Sequence, residues 1–522
     1  MFQPKRKLVS IASSALVLSM ALTACSSSTK PAAQTSTSTS KQEAGATTEA
    51  KATSSAKDLK PYKLVMMFPS GVVPKDLPAV QDAMSKYLTE KINATIELRP
   101  IDWGTWDNKR NLMFAAGEQL DLMFTASWYH LGEEAAKGQI IPLDDLINKY
   151  GQGIKSVLDP AYIEGGKLNG KSYGVVANKE FAATKGVVMR KDLVDKYKID
   201  LSQVKELKDL EPIFKTIKDN EPGITPLQVK NDRSPASAVL GFGMFDMLGD
   251  GPGVLDRESK ELKVIDMFET PQFMEAVKLM NKWYKLGYVN KDGATNKDSE
   301  FLAVKAGKAF SYGESMKPGF EMQETRNTGM PMVTVELTKP YTTTGDTTSA
   351  MFAIPNTSKD PERAMMFLNL LYTDKYLLNL MDWGIEGKHY IKAGDNIIDY
   401  PQGVDAATVD YNLNLPWMFG NQLNSYIWKT EDPKIWDRYK EFNTGAQRSI
   451  ALGFVFDPEK VKNEVAVTNN IVIQFTGGLY SGTIDPEKYL PEFVSKMKAA
   501  GMDKIIAEKQ KQLDEWAKAN KK

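Results

Sequence analysis

Gly165, Gly170, Lys171 and Ser172 fit the spacing G-x-x-x-x-G-K-[ST], in which loop amides and a helix N-terminus hold phosphates if a buried strand precedes and a helix follows. Neither neighbour is predicted. Residues 158–164 carry a proline mid-segment, and Tyr173-Gly174-Val175-Val176-Ala177-Asn178 reads as extended chain. The stretch is expected to be a glycine-rich turn feeding a strand, not an ATP site. Only His130 and His389 occur in 522 residues, which leaves little material for histidine metal sites or Ser-His-Asp machinery. H-E-x-x-H and calcium-loop spacings are missing, so no cofactor or metal is expected. The 66 acidic residues leave a paired-carboxylate glycosidase as the enzymatic alternative.

Aromatic residues carry more information. "IDWGTWD" places Trp103 and Trp106, and "TASWYH" places Trp128 and Tyr129, just after two predicted strands. Sugar rings stack their C–H faces on indole and phenol while carboxylates and amides take the hydroxyls. An arbitrary tryptophan is more often a packing residue, but Trp103 and Trp128 occupy similar places on successive loops. Asp102 beside Trp103 is a hydroxyl acceptor or a cap for the next helix. A second cluster, "LPWMFGNQ", offers Trp417, Asn421 and Gln422 on an irregular segment, with Phe419 assigned to the core.

The elements that position these residues follow from periodicity. "YKLVMMF" reads as a buried strand, and Val80, Met84, Tyr87, Leu88 and Ile92 recur at helical spacing within Leu77–Ile92. "ATIELRP" is a strand, "WDNKRNLMFAAG" a helix closed by Gly117, and "LDLMFT" a third strand. This alternation predicts a parallel sheet whose ligand crevice lies beyond the strands' carboxyl ends, at the loops opening at Pro69, Ile101 and Thr125. Residues 181–308 read as mostly helical, residues 361–382 as one long helical block before Gly384, and a closing helix is predicted near 491–519.

The N-terminus reads as an export signal. Lys5, Arg6 and Lys7 precede an apolar run, too short to span a bilayer, that ends in Leu22-Thr23-Ala24-Cys25. Cys25 is the only cysteine. Residues 1–24 are therefore expected to be a lipoprotein signal peptide cleaved before a diacylated Cys25, and residues 25–57 a Ser/Thr-rich linker. Basic and acidic residues balance at 66 each, and losing the three signal cations leaves a net of −3. Nothing in that balance favours a nucleic-acid partner.

"LNGKSYGVVANKEFAATKGVVMRKDLV" resembles the crossover of the family 1 extracellular solute-binding proteins of bacteria, and "AAGEQLDLMFTASW", "FLAVKAGKAFSYGES" and "FAIPNTSKDPERAMMFLNLLYTDKYLLNLMDWGIEGKHY" match further segments in order. The last is similar to the LipO-like lipoproteins of Gram-positive bacteria, which carry a C-terminal DUF3502 domain. The resemblance implies an α/β, periplasmic-binding-protein-like (type II) two-lobed fold with a hinge and an extra C-terminal helical region. Lobe I is expected at 58–177 plus 336–385, and lobe II at 178–335 plus 386–522. Crossings are implied near Gly174–Asn178, Met332–Val335 and Ile385–His389, with Asn178 and Glu180 at the first. Tyr312, Gly313 and Glu314 are implied on the second lobe's face. By the same comparison the chain is a non-catalytic, monomeric binder on the outer face of the cytoplasmic membrane, handing a carbohydrate to ABC permease subunits. A peptide binder and a secreted glycosidase are the alternatives.

Overall fold

The computed structural model describes residues 58–522 except 169, 232, 233, 238–242, 407 and 414. The signal peptide, Cys25 and the linker lie outside the described residues.

The chain opens as β1 (Tyr62–Ser70), α1 (Leu77–Ile92), β2 (Ala94–Asp102), α2 (Trp106–Ala116), β3 (Leu122–Thr125) and α3 (Leu131–Ala136). The seven consecutive buried residues that end β1 suit a strand covered on both faces. α1 buries Val80, Met84, Leu88 and Ile92 of its predicted stripe, with Tyr87 half-buried, and Gly117 closes α2 at φ 62°. The phosphate-loop lookalike is a hairpin, β4 (Lys167–Leu168) against β5 (Lys171–Ser172), preceded by the helix Pro160–Gly165 and followed by β6 (Val175–Val176). No helix follows it to receive a phosphate.

The second lobe contains β7 (Thr184–Arg190), β8 (Thr225–Gln228), β9 (Phe245–Asp246), β10 (Val254–Asp256), β11 (Val264–Ile265), β12 (Ala309–Met316) and β13 (Met332–Glu336). β14 (Tyr341–Thr342) and β15 (Met351–Ala353) then return the chain to the first lobe. The first sheet has order β2-β1-β3-β15-β6, the second β13-β7-β12-β8, and β9 to β11 form a small antiparallel sheet. β1 to β3 are parallel, as expected. Residues 181–308 hold more strand than predicted, because two- and three-residue strands such as β9 to β11 are too short to display a period of two.

The long helical block is two helices, Pro361–Thr373 and Lys375–Trp383, because Asp374 takes the Leu377 N–H at 3.0 Å and starts a new helix. The closing helix is likewise two, Pro486–Ala499 and Met502–Ala519, parted by Gly501 at φ 97°. Between these lie β16 (Ile391–Lys392), β17 (Ile397–Asp399), β18 (Ile427–Trp428) and β19 (Gln447–Arg448). Tyr411, Leu413, Leu415, Met418 and Phe419 pack in the first lobe's core rather than with the second. The C-terminal helices instead join the second lobe through Phe245, Phe268, Phe273, Phe475 and Phe493.

Candidate functional site

β2 and β3 both end at one mouth, and their loops place two indoles there. Asp102 accepts the Gly104 N–H at 2.9 Å, and its carbonyl accepts the Thr105 N–H, forming the turn that lifts Trp103 out before α2 begins. Trp103 and Trp128 remain 37% and 54% exposed. Their rings are inclined by only 28°, with centroids 6.4 Å apart, and both rest on buried Phe124 of β3. The Trp128 indole N–H donates to the Ser349 carbonyl at 2.9 Å. That bond fixes the ring's rotation and occupies its one polar atom. Trp106 is a packing residue, fully buried against Phe124.

Tyr129 packs edge-on to Trp128 at 5.3 Å. Burial pushes its hydroxyl well up, reinforced by the hydrogen bond to Asp107. Beneath it Arg110 and Glu134, both buried, pair at 2.7 Å, with the guanidinium under the Tyr129 ring and the Thr125 hydroxyl donating to Glu134. His130 takes a left-handed φ of 59° and lies between Asp107 and Glu133, at 3.1 and 2.9 Å. Sequence reasoning gave Asp107 and Ser349 no role: one sits inside a helix, the other is recruited by its backbone.

The other expected residues go elsewhere. The lobes are joined by a hydrogen-bonded band in which Asn178 bridges Asn421, Ala183 bridges Tyr341, and β14 pairs with β19. The first crossing leaves the first sheet after Val176, as expected, but Met332–Val335 is still paired to β7, so the second crossing follows Glu336. Asn178 donates to Asn421 at 2.8 Å, and Asn421 also receives the Leu423 N–H, so both amides bind the hinge together. Gln422 is buried beside them, its backbone N–H on the Asn178 carbonyl. Trp417 is half-buried against the first core. Tyr312 does not line a face: it is buried and its hydroxyl donates to Glu324, because its strand position points into the core under the helix Phe320–Thr328. Glu314 accepts the adjacent Ser315 N–H and its charge acts on Tyr312 and Glu324, placing it toward that same side.

Glu180 is a hinge ion. Lys179 and Lys317 each approach it at 3.1 Å. Burial alone would raise its carboxyl, but the two ammonium groups outweigh that and hold it at about 2. A depressed acid stabilises the fold fully above its unfolded value of 4.5 and loses that contribution as pH falls toward about 2. Lys317→Met is therefore expected to cost about 1–3 kcal/mol at pH 7, with the deficit narrowing in urea titrations at pH 3. An equal deficit at both pH values would assign the loss to the lysine's contact with the Tyr439 ring.

Among the described residues no three His, Cys, Asp or Glu side chains cluster as metal ligands, and no helix is long and apolar enough to cross a membrane. The site offers stacking faces and carboxylates around a mouth between two hinged lobes.

Known proteins share this plan. Residues 450–518 match the domain of unknown function DUF3502. A carbohydrate ABC transporter substrate-binding protein of Streptococcus pneumoniae is 30% identical over 480 residues, covering 90% of this chain and 94% of the relative. The crystal structure of the N-glycan transport solute-binding protein NgtS from Streptococcus pneumoniae superposes with a TM-score of 0.79 at 30% identity, covering 89% of this chain and all of that one. Its complex with Man5GlcNAc superposes at 0.72, with 31% identity over 89% of this chain and all of that one. The family model described as bacterial extracellular solute-binding protein matches residues 74–377, and with both lobes and the hinge in place the chain belongs to that family.

Proposed function

We propose that this chain is the substrate-binding component of an ABC importer and captures an oligosaccharide of mannose and N-acetylglucosamine between its lobes. The observation that carries the reading is the Trp103–Trp128 pair, two near-parallel exposed indoles at the carboxyl ends of β2 and β3. Such faces match the C–H surfaces of successive sugar rings. The Man5GlcNAc complex of the relative supports the same ligand class. Contacts from both lobes favour the closed state by their differential affinity, and permease subunits read that closure. Cleavage before Cys25 and acylation of its thiol tether the chain outside the cytoplasmic membrane. Turnover has no place in this cycle.

Calorimetric titration of the mature chain with Man5GlcNAc tests the reading, alongside an assay for released reducing sugar. Saturable one-to-one binding without sugar release is expected. Binding of peptides but not glycans, or release of sugar on incubation, overturns it.

A further inference from the structure

The two tryptophans stand on different loops, and one side-chain pair ties those loops together. Asp107 lies in the first turn of α2, just after the turn that carries Trp103. His130 stands at the N-cap of α3, just after Trp128 and Tyr129. The His130 Nε2 meets the Asp107 carboxylate at 3.1 Å, and its Nδ1 meets Glu133 at 2.9 Å. The Tyr129 hydroxyl also donates to Asp107. The Tyr129 ring itself lies 5.3 Å from Trp128 and 4.6 Å from the imidazole. A continuous path of contacts thus runs from Trp128 through Tyr129 and His130 to the helix that begins after Trp103.

The imidazole holds this place against its backbone preference. At φ 59°, His130 is left-handed, a conformation uncommon for residues with a side chain. Its side chain makes no cap bond to α3, because both ring nitrogens are spent on carboxylates. A neutral imidazole has one N–H and one lone pair, and only the imidazolium has two donors. A neutral ring held here would aim its lone pair at one of the two carboxylates. The observed arrangement is therefore that of the charged ring. The other charged groups around it are Arg110 of α2, shared between Asp107 and Glu134, and Lys137 of α3, paired with Glu133. Lys137 and, after it, His130 draw the Glu133 carboxyl below its ordinary value. Asp250 of the second lobe also feels the imidazole's charge.

We propose that His130 and Asp107 form a proton-dependent latch that sets the 6.4 Å spacing and 28° inclination of the Trp103 and Trp128 rings, so that the chain holds its sugar more tightly in mildly acidic surroundings. This deepens the carbohydrate reading and rests on it. Neither residue touches the ligand. Both are positioning residues, acting through Tyr129 and the first turn of α2. By linkage, a proton that favours binding must itself be drawn onto the chain when the ligand binds.

The test titrates Man5GlcNAc into the mature parent, His130→Asn and Asp107→Asn at about pH 5.5 and about pH 8, on either side of the range in which imidazoles change charge. Asparagine tolerates left-handed backbone, so His130→Asn removes the charge without new strain, and a thermal melt checks that each variant is folded. The parent is expected to bind roughly threefold more tightly at the lower pH. It should also take up a fraction of a proton on binding near neutrality, read by calorimetry in buffers of different ionisation heat. Each variant is expected to bind alike at both pH values, within about 1.5-fold, with no proton uptake. Equal parent affinity at both pH values, or a pH slope shared by the parent and either variant, overturns the proposal. If the parent binds no Man5GlcNAc at either pH, the carbohydrate reading fails, and amide hydrogen exchange decides the latch. Exchange at 103–109 and 127–131 that is faster in His130→Asn than in the parent at the lower pH, and equal at the higher, upholds it. Equal exchange at the lower pH, or a difference that persists at the higher, overturns it.

Discussion

The chain carrying both Trp103→Ala and Trp128→Ala is expected to bind Man5GlcNAc about two orders of magnitude more weakly than the parent, a loss of roughly 2.7 kcal/mol. Its melting temperature should fall by only a few degrees. Both effects follow from exposure. At 37% and 54% exposed, the rings contribute less to the folded core than buried aromatics do, and beyond each other they touch Phe124 and the Tyr129 ring and make one backbone hydrogen bond. Removing them frees the Ser349 carbonyl to water rather than stranding it in the core. Each single variant should show part of the loss, since the near-parallel rings offer successive surfaces to one ligand. Calorimetry and a thermal melt on the same samples read both quantities. Undiminished affinity in a folded double variant would remove the platform from the site.

Replacing Arg110 by methionine is expected to cost about 3–5 kcal/mol at pH 8, because it leaves a buried carboxylate without its cation. Glu134 and Arg110 are 1% and 3% exposed. Burial already raises Glu134 above its ordinary value, with Thr125 and Arg110 opposing. Without Arg110 it rises further. A carboxyl whose folded pKa exceeds its unfolded one penalises the fold above that folded value and carries no penalty once both states are protonated. The deficit should therefore shrink as pH falls from 8 toward the unfolded value of 4.5. Urea midpoints at pH 8 and pH 5 measure it. Arg110→Met with Glu134→Gln should recover most of the pH 8 loss, whereas a deficit independent of pH would mean that lost packing, not the stranded charge, is responsible.

The first lobe was legible because each of its signals is long. A nine-residue strand with seven buried residues in succession, sixteen residues of amphipathic helix and a capping glycine state their structure locally. The tryptophan platform was legible for the related reason that strand ends were predictable. Asp374 was missed as a break because its capping bond competes with apolar periodicity on both sides. Tyr312 was placed on a lobe face by the family resemblance alone, which does not carry its partner Glu324, supplied by a helix that follows the strand. Asn421 resembled a ligand amide, and only the fold brings Asn178 beside it across 243 residues. Lys509, whose buried ammonium donates to the carbonyls of Met247, Gly251 and Gly253, gave no sign at all, since these partners are more than 250 residues away in sequence.

The bond from Trp128 to the Ser349 carbonyl carries a consequence for selectivity. With its one polar atom occupied, this indole meets a ligand through its π faces alone, which register the flat C–H surface of a pyranose and not which of its hydroxyls is axial. Adhesion and discrimination are thus divided among different residues. On the proposed reading the platform would grip many stereoisomers alike, and telling one sugar from another would be left to the polar groups around it. A binder built in this way would hold sugars of mixed composition by their common hydrocarbon faces while nearby carboxylates set the entry requirement.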